Sequence, residues 1–107
     1  MSETFQQILS LIQQGNVKIS DHGYDEIAAD SLYLRDVLET IADAVIVEEY
    51  PDYPKGPCIL VLQKDRNGEP IHVVWGIPKG KSSPAVLVTA YRPDSQRWES
   101  NFLRRKK

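Results

Sequence analysis

The dipeptide Asn67-Gly68 is the feature of this sequence that most restricts its fold. It separates two apolar segments, and both of its residues tolerate the positive φ of a two-residue type I′ turn. The sequence therefore predicts a β-hairpin. With the turn at this dipeptide, the predicted register pairs Arg66 with Glu69, Lys64 with Ile71, Leu62 with Val73 and Leu60 with Trp75, and it leaves Gln63 opposite His72.

This register also predicts which face of the hairpin is buried, because successive side chains of a strand point to opposite faces. The more apolar face is expected to pack under helices, and the other is expected to carry a half-exposed His72. A one-residue bulge would exchange the assignments. The predicted core face carries Leu60, Leu62, Ile71, Val73 and Trp75, and the opposite face carries Ile59, Val61, Gln63, His72 and Val74.

One more strand is predicted before the hairpin and one after it. Val45-Ile46-Val47 is a β-branched run, and the three prolines of the segment 51–57 that follows it favour a loop. Ala85 to Arg92 alternates between apolar and polar residues, as expected for a half-buried strand. Val17-Lys18-Ile19 is too short to assign.

Helical signals are confined to the first half of the chain. Thr4 and Gln7 resemble a capping box for a first helix over about Thr4 to Gln14. Ser20-Asp21 would cap a short second helix, and Asp30-Ser31 a third. The third helix carries the apolar stripe Leu34, Val37, Leu38 and Ile41.

The predicted fold is α+β, with two to three N-terminal helices packed on a four-stranded antiparallel sheet. It forms a single domain over residues 1–107, with the helical part at about 4–42, the sheet at about 44–92 and a basic C-terminal tail at about 99–107. We expect the end of that tail to be frayed.

Composition narrows the functional classes. The single cysteine, Cys58, cannot form an internal disulfide, which suits a reducing compartment, and no apolar run is long enough for a membrane span. We therefore expect a cytoplasmic protein with no membrane partner. Because the net charge is −2, any nucleic-acid binding must depend on a local basic patch.

His22 and His72 are the only histidines, and they are candidates for catalysis. His22 follows a helix cap and has Tyr24, Asp25 and Glu26 nearby. A histidine pair can divide the general-base and general-acid roles in RNA cleavage by a 2′-hydroxyl. The alternatives are a polar helix terminus at His22 and an ordinary strand histidine at His72.

The sequence gives little support for a metal site or for a reactive thiol. The two histidines could be ligands of a catalytic metal, but the carboxylates that would complete the site have no recognisable spacing. Cys58 is expected to be buried and inert, because no activating group lies near it in sequence. We expect no metal and no cofactor.

A second candidate site lies at the end of the last strand, at Tyr91-Arg92-Pro93-Asp94 with Arg97 and Trp98. An arginine there could clamp a phosphate, and an aromatic ring could stack on an unpaired base. Alternatively, Tyr91 and Trp98 pack while Arg92 pairs with an acid. The cluster Arg104-Arg105-Lys106-Lys107 could contact RNA or an acidic partner, or it could be a solvated tail.

Four segments in this order resemble a known family. The resemblance, over about residues 17–105, is to the domain of unknown function family numbered 4258, which looks related to the RelE-like toxins and the barnase, EndoU and colicin ribonuclease grouping. The segments are Ser20-Asp21-His22, Val45 to Pro51, Pro70 to Trp75, and Val88 to Asp94 with Trp98.

The resemblance implies helices before a four-stranded antiparallel sheet and metal-independent cleavage of RNA, often by a toxin held in check by an antitoxin protein. Carried over residue by residue, it points to His22, His72, Tyr91 and Arg92.

The leading hypothesis is an RNA-cleaving toxin-like domain. In it His72 and His22 exchange protons, Tyr91 orients the substrate, Arg92 and Arg97 bind phosphate, and Trp98 stacks on a base. The alternative is a non-catalytic domain that binds an antitoxin or a second copy of the chain, as a homodimer, through a sheet edge or the basic tail. A third hypothesis is a small-molecule sensor with a pocket between sheet and helices.

Overall fold

A computed structural model describes residues 2–106. Helix α1, Glu3–Gln13, begins where the Oγ of Ser2 accepts a hydrogen bond from the backbone N–H of Phe5 at 3.1 Å. The predicted cap at Thr4 is therefore wrong by two residues. Helix α2, Asp21–Ala29, is capped by Ser20 as predicted.

Helix α3, Leu34–Thr40, continues into a 3₁₀ turn, Ile41–Asp43. It follows Tyr33, which makes no side-chain cap, and the predicted cap at Asp30-Ser31 is wrong because Asp30 closes α2. Tyr33 instead stacks on the guanidinium of Arg66, whose Cζ lies 3.9 Å from the centre of the ring.

The strands are β1, Val17–Ile19; β2, Val45–Tyr50; β3, Cys58–Lys64; β4, Pro70–Gly76; and β5, Ala85–Tyr91. Their order across the sheet is β1-β5-β4-β3-β2. β1 runs parallel to β5, and the other neighbours are antiparallel. The α+β class is confirmed, but the expected four-stranded antiparallel sheet is wrong. A three-residue strand has too few side chains to show a period, and only its pairing with β5 makes it part of the sheet.

The hairpin exists, but its register differs by one residue from the prediction. Lys64 pairs with Pro70 and Leu62 with His72, so five residues form the loop. The carboxylate of Asp65 accepts hydrogen bonds from the backbone N–H groups of Asn67 and Glu69, at 2.8 and 2.9 Å. This local network stabilises a longer loop than the two-residue turn that the dipeptide suggested.

The slip reverses the faces of β3 and leaves those of β4 as predicted. We call the buried face the helical face; it carries Ile59, Val61, Gln63, Ile71, Val73 and Trp75. The other, which we call the second face, carries Leu60, Leu62, His72 and Val74.

Gln63 is the polar residue of the helical face. Its Nε2 donates to the carbonyl of Val37 at 2.7 Å, and its Oε1 accepts from the indole of Trp75 at 3.0 Å. Both amide atoms are satisfied, which is the condition for burying a glutamine beside a tryptophan in the core.

The chain after β5 folds back over the second face. Trp98 and Arg105 form a β-bridge, and the N–H of Lys106 donates to the carbonyl of Arg97 at 2.8 Å. We call residues 93–106 the C-terminal segment. The expected frayed end is wrong as far as Lys106, because Arg105 and Lys106 are bonded to Trp98 and Arg97 and Trp98 itself is buried. Lys107 lies outside the described residues.

Candidate functional site

His72 is fully buried beneath the C-terminal segment. Its Nε2 lies 2.8 Å from the carbonyl of Phe102, and since a carbonyl can only accept, Nε2 carries the proton. The ring meets Trp98 and Tyr91 edge to face, with centroids 4.4 and 5.5 Å apart. The expected half-exposed position beside Gln63 is therefore wrong.

This environment favours the neutral form of the His72 imidazole. Burial lowers its pKa below the ordinary value, and the Phe102 carbonyl and Glu48 oppose that shift only in part. Its Nδ1 has no hydrogen-bond partner among the described residues. A buried ring that holds a backbone carbonyl fits the role of a structural anchor for the C-terminal segment.

His22 lies in a different environment. It is the second residue of α2, its side chain is 64% exposed, and its Nε2 is 3.9 Å from the Oε1 of Glu26. The ring lines a groove on the part of the second face that the C-terminal segment leaves open. The structure thus places the two histidines in separate surroundings, one accessible to a ligand and the other enclosed.

The groove has a volume of about 670 Å³, within the usual range of ligand sites. Its floor is mostly apolar and its rim holds the polar groups. We call it the His22 groove. It is lined by Ser20, His22, Tyr53, Lys55, Gly56, Cys58, Val74, Gly76, Ile77, Pro78, Val86, Val88 and Thr89.

One wall of the His22 groove is a β-bulge in β5. Val74 pairs with Thr89 and Trp75 with Leu87, so Val88 is the extra residue. A bulge turns the strand locally and redirects its side chains, and here both Val88 and Thr89 line the groove.

Ser20 connects this bulge to the helix that carries His22. Its Oγ accepts from the N–H of Gly23 and donates to the carbonyl of Val88, each at 2.9 Å. A Cβ on Gly23 would lie 2.9 Å from the Leu87 side chain, so α2 can approach β5 closely only with glycine there. One hydroxyl therefore fixes the start of α2 relative to β5.

The opposite wall is the loop between β2 and β3. Gly56 has φ +125°, and a Cβ there would lie 2.0 Å from the carbonyl oxygen of Ile77. The N–H of Lys79, in the loop between β4 and β5, donates to the carbonyl of Lys55 at 3.0 Å. This hydrogen bond joins the β2–β3 loop to the β4–β5 loop. This tight contact holds Lys55 and Tyr53 at the rim.

Cys58, one of the groove-lining residues, is buried as expected. Burial raises the pKa of its thiol because it disfavours the thiolate, the nucleophilic form.

The second candidate site forms a separate, smaller pocket of about 370 Å³, which we call the arginine pocket. It brings together five of the six residues singled out at the end of the last strand. Its lining residues are Tyr91, Arg92, Asp94, Arg97, Trp98 and Arg105.

Carboxylates hold two of these arginines firmly. Arg92 contacts Asp65 at 3.0 Å, and Arg105 contacts Glu48 at 2.9 Å. The hydrogen bond from Arg105 lowers the pKa of Glu48. Burial would raise the pKa of Asp65, but hydrogen bonds from Glu69, Asn67 and Arg92 outweigh it and lower that pKa.

Arg97 differs from its neighbours. Its side chain is 83% exposed, and its contact with Asp94 is 3.9 Å long. It is therefore the arginine of this pocket whose guanidinium can turn to a ligand at the least cost.

Sequence reasoning missed the groove-lining side chains Ser20, Tyr53, Lys55 and Thr89. A signal existed for the loop, because a glycine among three prolines marks a constrained turn. None existed for Thr89, since a threonine in a strand is unremarkable until the bulge places it.

No group of three or more His, Cys, Asp or Glu side chains among residues 2–106 is arranged to hold a metal ion. Within the same range, no helix is both long and apolar enough to cross a membrane.

Comparison with known proteins identified a match to a protein family. A family model described as "Domain of unknown function (DUF4258)" matches residues 19–92. Searches of curated proteins and of solved structures found no match. The matched range includes the whole of β2 to β5, so it covers every residue that lines the His22 groove and two that line the arginine pocket, Tyr91 and Arg92.

Proposed function

This chain belongs to the domain of unknown function family DUF4258, and on that premise we propose that it is a metal-independent RNA-cleaving, toxin-like domain whose chemistry takes place in the His22 groove. The observation that carries the proposal is an exposed imidazole at the rim of a groove that also presents an ammonium group, from Lys55. The three helices precede the four antiparallel strands β2 to β5, and this order supports a relationship to the RelE-like toxins, and hence an antitoxin partner.

The proposed reaction uses His22 as the general base. The imidazole takes the proton of a ribose 2′-hydroxyl, and the oxygen attacks the adjacent phosphorus. The bond to the 5′-oxygen breaks, and that oxygen takes a proton from solvent. The products are a 2′,3′-cyclic phosphate and a 5′-hydroxyl. Lys55 offsets the negative charge that develops on the phosphate.

The proposal changes the roles first given to the other site residues. His72 is a positioning residue, because its ring supports Tyr91 and holds the C-terminal segment through Phe102. Arg97 is the phosphate-binding candidate, since Arg92 already pairs with Asp65. Trp98 is buried and supports the pocket from below.

Cleavage of RNA in the presence of a chelator tests the proposal. The purified chain should cleave unstructured RNA in EDTA and leave cyclic phosphate ends. His22→Asn should lower the rate by about a hundredfold or more, because general-base catalysis contributes at least that much. The exposed side chain of His22 predicts an unchanged melting temperature for this variant.

Lys55→Ala should also slow cleavage, while Arg35→Ala, which removes an exposed arginine on α3, serves as the matched control. The proposal is contradicted if the wild-type chain leaves RNA intact, or if His22→Asn prepared in the same way still cleaves RNA.

A second candidate function is a non-catalytic interaction domain. It is favoured by β2, a six-residue outer strand whose Val45 is largely exposed. An edge strand can pair with a strand of an antitoxin or of a second copy of the chain. A stable homodimer in size-exclusion chromatography together with no cleavage of RNA would favour this candidate over the first.

A further inference from the structure

The lining of the His22 groove suits the face of an aromatic ring. Its floor contains Val74, Val86 and Ile77, and an exposed tyrosine, Tyr53 at 52%, stands at the rim. Aromatic side chains stack on any base whose face is free. In a duplex both faces of each base are covered by neighbouring base pairs. An apolar floor of this kind therefore cannot stack on a base within a duplex.

The His22 groove and the arginine pocket are neighbours on the same face of β5. Thr89 lines the groove and Tyr91 lines the pocket, and their partners on β4 are Val74 and His72. Residues two apart on a strand are about 7 Å apart. That separation of Thr89 and Tyr91 is comparable to the length of one nucleotide of an extended chain, so a single strand that follows β5 leads from the groove to the pocket.

The arginine pocket contains a guanidinium that can bind a phosphate, whereas no arginine lines the His22 groove. The side chain of Arg97 is 83% exposed, and its contact with Asp94 is 3.9 Å long. Guanidinium groups bind phosphate oxygens in pairs of parallel hydrogen bonds. Arg105 adds positive charge beside it, although Glu48 neutralises part of that charge.

We propose that the substrate is single-stranded RNA, with one unpaired base in the His22 groove against Tyr53 and a neighbouring phosphate bound by Arg97 in the arginine pocket. This inference rests on the proposed function and adds the class of RNA and the path of the strand. The path runs along the second face of β5, from Thr89 in the groove to Tyr91 in the pocket.

Binding of a non-cleavable RNA tests this path separately from catalysis. The probe is a short fluorescein-labelled oligonucleotide with 2′-O-methyl groups, which removes the nucleophile, used single-stranded and annealed to its complement. Fluorescence anisotropy with the wild-type chain should show at least about tenfold tighter binding of the single strand, the effect expected when base stacking is lost.

Two variants test the two contacts. Tyr53→Ala should weaken binding of the single strand by about tenfold through lost stacking. Arg97→Ala should weaken it by a similar factor and lower the slope of log affinity against log salt by about 1, because one phosphate contact is lost. Arg35→Ala, which removes an arginine of matching exposure (81% against 83%) on α3, should change neither quantity.

The outcomes separate the two proposals. Equal binding of duplex and single strand, or an unchanged salt slope in Arg97→Ala, overturns the inference while cleavage that depends on His22 still supports the proposed function. A chain that neither binds the probe nor cleaves RNA overturns both. The two side chains are exposed, so circular dichroism should show unchanged folding in both variants.

Discussion

At the scale of single residues, His72 shows how an environment changes a role. Its imidazole lies against Trp98 and Tyr91, and its Nε2 donates to a backbone carbonyl. Removing the ring from water disfavours its charged form. A histidine that the sequence made a candidate for proton transfer is therefore a hydrogen-bonded part of the packing, and its neutral form is favoured.

The lowered pKa of His72 predicts a pH dependence of stability. Because the unfolded chain binds a proton more readily at this site, the free energy of unfolding should be fully retained above the ordinary histidine value of 6.5. It should fall as the pH drops below 6.5, until the lower pKa of the folded state is reached. Urea unfolding across this range measures the change.

His72→Gln should remove most of that dependence while its amide keeps a donor near Phe102, and His22→Gln is the matched control for losing a histidine from an exposed site. A wild-type free energy of unfolding that does not change between pH 7 and about pH 5 would contradict this account of His72.

At the scale of secondary structure elements, the placement of His22 depends on the junction between α2 and β5. The hydroxyl of Ser20 caps the helix and binds the bulge in the strand at the same time. The parallel pairing of β1 with β5 ends just before Ser20, so the chain enters α2 directly beside the bulge. The groove therefore exists because these elements meet at one residue.

Ser20→Ala should lower both stability and cleavage. The loss of one cap and one donated hydrogen bond should cost about 1–2 kcal/mol in the free energy of unfolding. If α2 then shifts relative to β5, the rate of RNA cleavage should fall more than the melting temperature alone would explain. Thermal unfolding and cleavage assays at a temperature well below the transition measure the two effects.

Ser2→Ala provides the matched control, because Ser2 caps α1 through the same kind of bond and does not line the His22 groove. It should cost a similar free energy of unfolding and leave cleavage unchanged. Equal losses of cleavage in the two variants would mean that Ser20 acts only through stability.

The hairpin between β3 and β4 depends on both local and long-range interactions. Its existence follows from local chemistry, a glycine at φ +79° after an asparagine between two apolar segments. Its register does not follow from local chemistry. The carboxylate of Asp65 closes a five-residue loop by accepting two backbone hydrogen bonds, and it also pairs with Arg92, which is distant in the sequence. The slip moved Gln63 into the core, where partners on α3 and β4 satisfy it.

At the scale of the whole molecule, the C-terminal segment completes the second face of the sheet. Arg105 reaches from this segment to Glu48 on β2 and stacks on Trp98, with its Cζ 4.7 Å from the centre of the ring. The segment buries His72 and leaves the His22 groove open beside it. It thereby divides one face of the sheet into a closed part and an accessible part.

Trp98→Ala should destabilise the chain by about 3–5 kcal/mol, the usual cost of removing a buried tryptophan. Tyr24→Ala removes an exposed aromatic residue and should change the free energy of unfolding by less than about 0.5 kcal/mol. Chemical denaturation of both variants gives the comparison. A loss below about 1 kcal/mol for Trp98→Ala would mean that the segment is a loosely attached tail.

The sequence by itself determined the α+β class, the second helix and its serine cap, the hairpin and the buried alternation of β4, because these depend on local propensity, capping and periodicity. Only the tertiary structure decided the fifth strand, the register of β3 and the burial of His72. These depend on contacts between residues far apart in sequence, such as Val17 with Ala85 and His72 with Phe102. The same kind of contact assembles the groove that His22 shares with Lys55 and Thr89.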